Sequence, residues 1–167
     1  MIWYTLLIAA VAVERVAELV VSQRNLAWSR ARGGIEVGAR HYPAMVVLHS
    51  GLLVGCLVES FHRPFLPALG WPMLAVVLGA QCLRWWCIAT LGHQWNTRVV
   101  VVPSASRITG GPYRFVPHPN YVAVVVEGIA LPLVHTAWIT ALVFTVLNAF
   151  LLRTRIYVED AALARLR

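Results

Sequence analysis

The chain has no lysine and little charge of any kind. Only 13% of its 167 residues are charged and 59% are hydrophobic, whereas a soluble domain of this length carries about 25% charged residues. Mean hydropathy is +0.70. This shortage excludes an ordinary soluble domain and points to a polytopic membrane protein. Metal-binding spacing is missing too. The six histidines show no H-x-x-H or H-x-x-x-H pattern. Cys56, Cys82 and Cys87 form no C-x-x-C pair and fall in apolar runs, so they read as small buried hydrophobes. No metal is expected. No basic segment precedes the first apolar run, and no small-residue cleavage site follows before Glu14-Arg15, so no cleavable signal peptide is expected either.

What the chain does have is long greasy stretches. Residues 2–21, 43–59, 71–91 and 121–152 are each predominantly apolar, and a bilayer-spanning helix needs about 20 such residues. The last run is too long for one crossing, and Pro132 and His135 mark where it folds back. The expected architecture is an all-α polytopic membrane helix bundle. It has about five transmembrane helices, the last two forming a helical hairpin (121–133 and 136–152, the first limb short), in one domain over residues 1–167.

The net charge of +7 is carried by arginine. Arg24, Arg30, Arg32 and Arg40 lie in the first connection, and Arg98, Arg107 and Arg114 in the third. Arg153, Arg155, Arg165 and Arg167 lie in the tail, and only Arg63 falls in the connections of the opposite side. The positive-inside rule then sets these connections and the C-terminus in the cytoplasm and the N-terminus outside. Basic residues could also serve nucleic acid, but these flank membrane helices, so orientation explains them better and no nucleic-acid partner is expected.

Four charged groups inside helices need partners. Glu14 and Glu18 share a face of the first helix and are expected near the cytoplasmic interface, paired with arginines of the first loop, a catalytic role being the alternative. Arg84 and Glu127 each sit about two turns from the cytoplasmic end of their helices, so they either pair with each other or leave Glu127 facing a ligand cavity. The first loop, with its glycines, reads as turn rather than phosphate loop.

The most specific stretch is RITGGPYRFVPHPNYVAVVVEG, residues 107–128. Pro119 suits the first position of a helix, and His118 and Val116, each before a proline, are pushed toward extended backbone. The helix starting at Pro119 would aim free N–H groups and its positive dipole end at the cytoplasmic rim. Gly110-Gly111-Pro112 would let the preceding turn approach a ligand closely. Tyr113 and Tyr121 could offer aromatic faces to a ring or a sulfonium cation. Three segments should meet at this rim, bringing together His93, Arg98, Arg114, His118, Arg153, Arg155, Tyr157, Glu159 and Asp160. A mostly positive rim suits an anionic small molecule or anionic membrane lipid.

GPYRFVPHPNY followed by an apolar hairpin and RIYVED resembles the isoprenylcysteine carboxyl methyltransferase family, which is related to membrane phospholipid methyltransferases. Members show G-P-Y…R-H-P-x-Y, a helical hairpin, then R…E-E or E-N. The resemblance covers residues 91–163, and the first half looks like the short bacterial branch, some of whose members accompany polyketide synthases that make alkylpyrones. The resemblance implies S-adenosylmethionine bound on the cytoplasmic side and leaving as S-adenosylhomocysteine. Gly111, Tyr113, His118, Pro119, Tyr121 and Glu159 match the cofactor-pocket motif positions, and His93 is placed with them at the rim. Two departures stand out: Pro117 where the family commonly has arginine, and Asp160 for the second glutamate. Either Arg114 or Arg98 would replace the missing charge. With the short tail, these differences weaken the case for a prenylated protein terminus as substrate.

Methyl transfer from a sulfonium is an in-line displacement, so no nucleophile–base dyad is required. An anionic acceptor oxygen held about 3–3.5 Å from the methyl group is enough. Arg98 and Arg153 are the candidate anion holders and, with Glu159, the catalytic set; Glu127 and Arg114 are candidate substrate contacts. The expected activity is therefore O-methylation of a lipophilic acceptor, a carboxylate by resemblance, or alternatively an alkylpyrone or alkylresorcinol hydroxyl. A non-catalytic membrane scaffold is the competing class. The tyrosines, His93 and the tail arginines have interfacial or topological roles as alternatives, and His49 that of a packed polar residue.

Overall fold

The computed structural model describes residues 2–103 and 105–164; Arg165 and Arg167 of the expected cytoplasmic tail lie outside the described residues. Five α-helices make up the body: α1 (Ile2–Arg30), α2 (Tyr42–Ser60), α3 (Pro67–Leu91), α4 (Pro119–Leu133) and α5 (Trp138–Ala164). Three of them, α2, α3 and α5, are long and apolar enough to cross a membrane. Helix α1 has the length, at 29 residues, but Glu14, Arg15 and Glu18 interrupt its apolar run. Helix α4 is apolar but has only 15 residues, about 22 Å of rise. It packs chiefly between α3 and α5.

The expected hairpin is present, with one difference. Its turn is a Schellman-type stop, in which Ala137 N–H donates to Pro132 O at 3.0 Å and Thr136 N–H to Leu133 O at 3.3 Å. Thr136 takes the left-handed position, at φ 57°. The Glu59 carboxylate accepts from the amides of Ile139 and Thr140 at 3.1 and 2.8 Å, capping α5 from the end of α2. The second limb does not stop near Leu152. It runs on to Ala164, so RTRIYVED is helix, not tail. Nothing in that stretch breaks a helix, and residues Ala141, Phe144, Asn148, Leu152 and Arg155 keep one buried stripe across the join.

The connections also hold structure beyond the helical expectation. Strands β1 (Ile35–Val37) and β2 (Val99–Val101) pair antiparallel, with Glu36 opposite Val100. These short β-branched runs join the first and third connections. The second half of α1 is stitched to the same region: Asn25 Nδ2 donates to Trp95 O at 2.7 Å and Ser22 Oγ to Asn96 Oδ1 at 2.8 Å.

Glu14, Arg15 and Glu18 of α1 find partners within α1 and in other helices, not among the arginines of the first loop. Arg15 reaches Glu18 and Glu127 at 2.6 Å each. Arg84 pairs with Glu127 and lies 3.6 Å from Glu18. Glu18, Arg84 and Glu127 side chains are each 5% exposed. Glu14 stands apart, accepting from Gln81 and from Trp85 Nε1. The four-membered cluster ties α1, α3 and α4 together and is neutral in sum, which is the condition for burying charge among apolar helices.

Two stability predictions follow from this packing. A Cβ at Gly128 would stand 2.0 Å from the Phe144 ring, so Gly128→Ala is expected to cost about 1–3 kcal/mol by overpacking. Adding Phe144→Leu should recover much of it, read as the melting temperature in detergent. Glu127→Leu should cost about 3–5 kcal/mol by stranding the guanidiniums. Arg84→Leu/Glu127→Leu, which leaves the neutral Arg15–Glu18 pair, should melt higher than Glu127→Leu alone.

Candidate functional site

Two hollows adjoin at the end of the bundle where α3 finishes and α4 begins. The first, about 160 Å³, lies within the bundle and is walled mainly by apolar side chains such as Val11, Leu52, Val124, Phe144 and Leu151. The second, about 110 Å³, lies at the helix ends and includes Tyr113, His118, Glu159, Arg98 and the β2 strand in its lining. Trp95, Asn96, Asn120, Tyr121 and Arg155 line both. The site is therefore a polar chamber and an apolar chamber with a shared wall.

The polar chamber depends on backbone restraint. Pro119 opens α4 as its first residue, fully buried, with His118 before it at φ −130° and ψ 64°. The proline needs no N–H there and starts the helix at a defined point. Helix α5 returns antiparallel, so its extension lays residues 155–160 across the start of α4. His118 Nε2 meets Asp160 Oδ1 at 3.1 Å, and its Nδ1 lies 3.8 Å from Glu159 Oε1. The Tyr121 hydroxyl donates to Glu159 Oε2 at 2.5 Å, and the His118 ring stacks on Tyr121. Burial pushes the Tyr113 hydroxyl well above the ordinary phenol range, with the Cys87 thiol beside it, so it stays neutral.

Of the cofactor-facing candidates, Tyr113, His118, Tyr121 and Glu159 thus gather at one chamber. Pro119 sits behind them as their support. Gly111 does different work: its φ is 55°, and a Cβ there would stand 2.5 Å from Thr90 Oγ1, so it lets the turn press against α3. His93 is outside, exposed and stacked on Trp28.

The candidate anion holders separate in the same way. Arg98 lines the polar chamber, but its guanidinium donates to Glu36 at 2.7 Å and lies over Tyr42, and that hydrogen bond raises its pKa further. Arg153 is exposed and lines neither chamber; Arg114 is exposed over the Phe115 ring. Glu127 lines the apolar chamber while paired to both guanidiniums of the cluster.

Arg155 is the residue that sequence reasoning put at the rim without assigning it a role. It is 6% exposed, lines both chambers, donates from Nη2 to Thr97 O at 2.8 Å and from Nη1 to Met45 Sδ, and lies over Tyr121. The signal was present: Phe144, Asn148, Leu152 and Arg155 follow a three- and four-residue spacing that excludes Arg153. Trp95 and Asn120 carried no such signal. Arg155 Nε, Trp95 Nε1 and Asn120 Oδ1 are buried without a hydrogen-bond partner among the described residues. The shared wall thus offers two donors and an acceptor to whatever occupies it.

The isoprenylcysteine carboxyl methyltransferase (ICMT) family matches residues 73–165, which takes in α4, α5 and the whole polar chamber except its α1-side supports. The "Uncharacterized protein YpbQ" of Bacillus subtilis (strain 168) is 37% identical over 164 residues, spanning 98% of this chain and 96% of that protein. No solved structure matches the chain. A family match over more than half the residues, centred on the helical hairpin and the restrained histidine turn, makes this integral membrane protein a member of the isoprenylcysteine carboxyl methyltransferase family.

Proposed function

We propose that the protein is an S-adenosylmethionine-dependent O-methyltransferase that esterifies the carboxylate of a lipophilic acceptor, with its polar chamber at the cytoplasmic face and its N-terminus outside. The observation that carries this reading is the wall shared by a polar and an apolar chamber, because a water-soluble donor and a membrane-soluble acceptor must meet across such a boundary. The residues fit the donor. An unpartnered donor on Trp95 and an unpartnered acceptor on Asn120 suit a molecule with both kinds of polar group. Glu159 and the face of Tyr113 suit a cation. Bound there, S-adenosylmethionine would supply an electrophilic methyl group on a positively charged sulfur.

The protein's own part is positioning and water exclusion. A carboxylate is ionised at neutral pH and needs no base. Arg155, buried at the junction and present in both linings, is the group that would hold it, ahead of Arg98, which Glu36 already engages. A guanidinium presents a planar fork that fixes a carboxylate in orientation as well as place. The apolar chamber takes the acceptor's chain and keeps water away from its reacting end. His118, held between Asp160 and Tyr121, keeps the polar chamber's lining in register. The arginine-rich connections support a cytoplasmic setting for this rim.

S-adenosylhomocysteine is expected to raise the melting temperature of the detergent-purified protein, by the equivalent of about 2.7 kcal/mol at a hundredfold excess over its Kd. No shift, alongside a normal shift for a control methyltransferase, would overturn the reading in favour of a scaffold. His118→Ala should weaken that stabilisation without loss of helical content. Arg155→Gln should lower acceptor kcat/KM by roughly 10–100-fold, the worth of a charged hydrogen bond, while S-adenosylhomocysteine still stabilises the variant. Arg153→Gln should change neither quantity.

A further inference from the structure

The apolar chamber is not apolar throughout. Asn148 lines it from α5 and is 2% exposed, yet its Oδ1 has no hydrogen-bond partner among the described residues. A leucine would fill similar space without burying an unsatisfied amide, which is costly. His49 of α2 lines the same chamber. Its Nδ1 is 2.9 Å from Met45 O and its ring lies edge-to-face with Phe144. No described residue bonds its Nε2. Two polar side chains outside the ion cluster, one from α2 and one from α5, therefore line one hollow.

Asn148 has a defined relation to the shared wall. Asn148 and Arg155 are on the same buried stripe of α5, seven residues apart, which is two turns or about 10 Å along the axis. We infer that the acceptor carries a second, neutral oxygen, a hydroxyl or a carbonyl, about 10 Å along its chain from the one that is methylated, and that Asn148 with His49 selects for it. The inference rests on the proposed function for the placement of the reacting oxygen at Arg155. Neutrality follows from the surroundings. Arg15, Glu18, Arg84 and Glu127 line the same chamber and already balance one another, so a further charge at this depth would have no counter-charge. An amide both donates and accepts, so it serves either oxygen type. Its role is specificity: a site built around a substrate hydroxyl discriminates strongly against the analogue that lacks it.

The test compares stearate with a hydroxystearate carrying its hydroxyl at mid-chain. Both displace a fluorescent fatty acid from the full-length protein in lipid nanodiscs, with no methyl donor present and with correction for partition into empty discs. The wild type is expected to bind the hydroxylated acid at least about tenfold more tightly, the ordinary worth of one buried hydrogen bond. Asn148→Leu should abolish the preference while keeping or improving stearate binding. Equal binding of the two acids by the wild type, a preference for stearate, or no displacement by either overturns the inference, and none of these outcomes depends on the variant folding. Stabilisation by S-adenosylhomocysteine reports separately on the proposed activity. A stabilised protein without the preference refutes this inference alone, and a preference without stabilisation refutes the methyltransferase reading alone.

Discussion

Two carboxylates and two guanidiniums, drawn from three helices and with all but Arg15 almost wholly buried, set the geometry of this protein. Arg15 and Glu18 come from α1, Arg84 from α3 and Glu127 from α4. None of the four could be buried in a greasy bundle alone, because an unpaired charge at that depth costs several kcal/mol. Each helix must therefore sit at the rotation and height that lets its charge reach the others. Apolar helix faces slide and rotate against one another at little cost; a cluster of this kind does not. Helix α4 has too few residues to anchor itself by length, and it is the helix that Glu127 pins to both α1 and α3.

From that constraint the rest of the site follows. With α4 fixed, its first turn, started by Pro119, stands at the level where α3 ends. The Schellman stop at Thr136 sends the chain back, and the unbroken α5 carries Arg155 and Glu159 up beside that first turn, one helical turn apart. The acidic residues that meet His118 and Tyr121 thus arrive from a helix whose course is set at the far end of the bundle, where Glu59 caps it. The same packing leaves the apolar chamber open below the shared wall, with the neutral ion cluster on one side and the Asn148 stripe on the other.

The polar chamber was largely legible in the sequence because prolines restrict backbone locally. Pro117 and Pro119 around His118 needed no tertiary information to be recognised as a held turn, and the structure gathers Tyr113, His118, Tyr121 and Glu159 there. The basic residues were harder. Arg153 and Arg155 differ by two positions, and in a tail either could face inward. Only the continuation of α5 fixes the phase that buries Arg155 and exposes Arg153. Arg98 looked free because its partner, Glu36, is far away in sequence and is brought near by the pairing of β1 and β2. His93 looked rim-facing, and the extra turn of chain after α3 carries it onto Trp28 instead.

Composition and local pattern alone determined that the chain is a helical membrane protein, that its last apolar run doubles back, and that a rigid histidine turn introduces the hairpin. These are short-range consequences of apolar run length, proline stereochemistry and the cost of exposing peptide groups to hydrocarbon. Tertiary structure decided which charges neutralise one another, which arginine reaches the shared wall, and that the Asn148 amide stands inside the apolar chamber. Those outcomes depend on helix rotation and on contacts between residues distant in the chain. A charged or polar side chain reads the same in sequence whichever way its helix is turned, and only packing selects the turn.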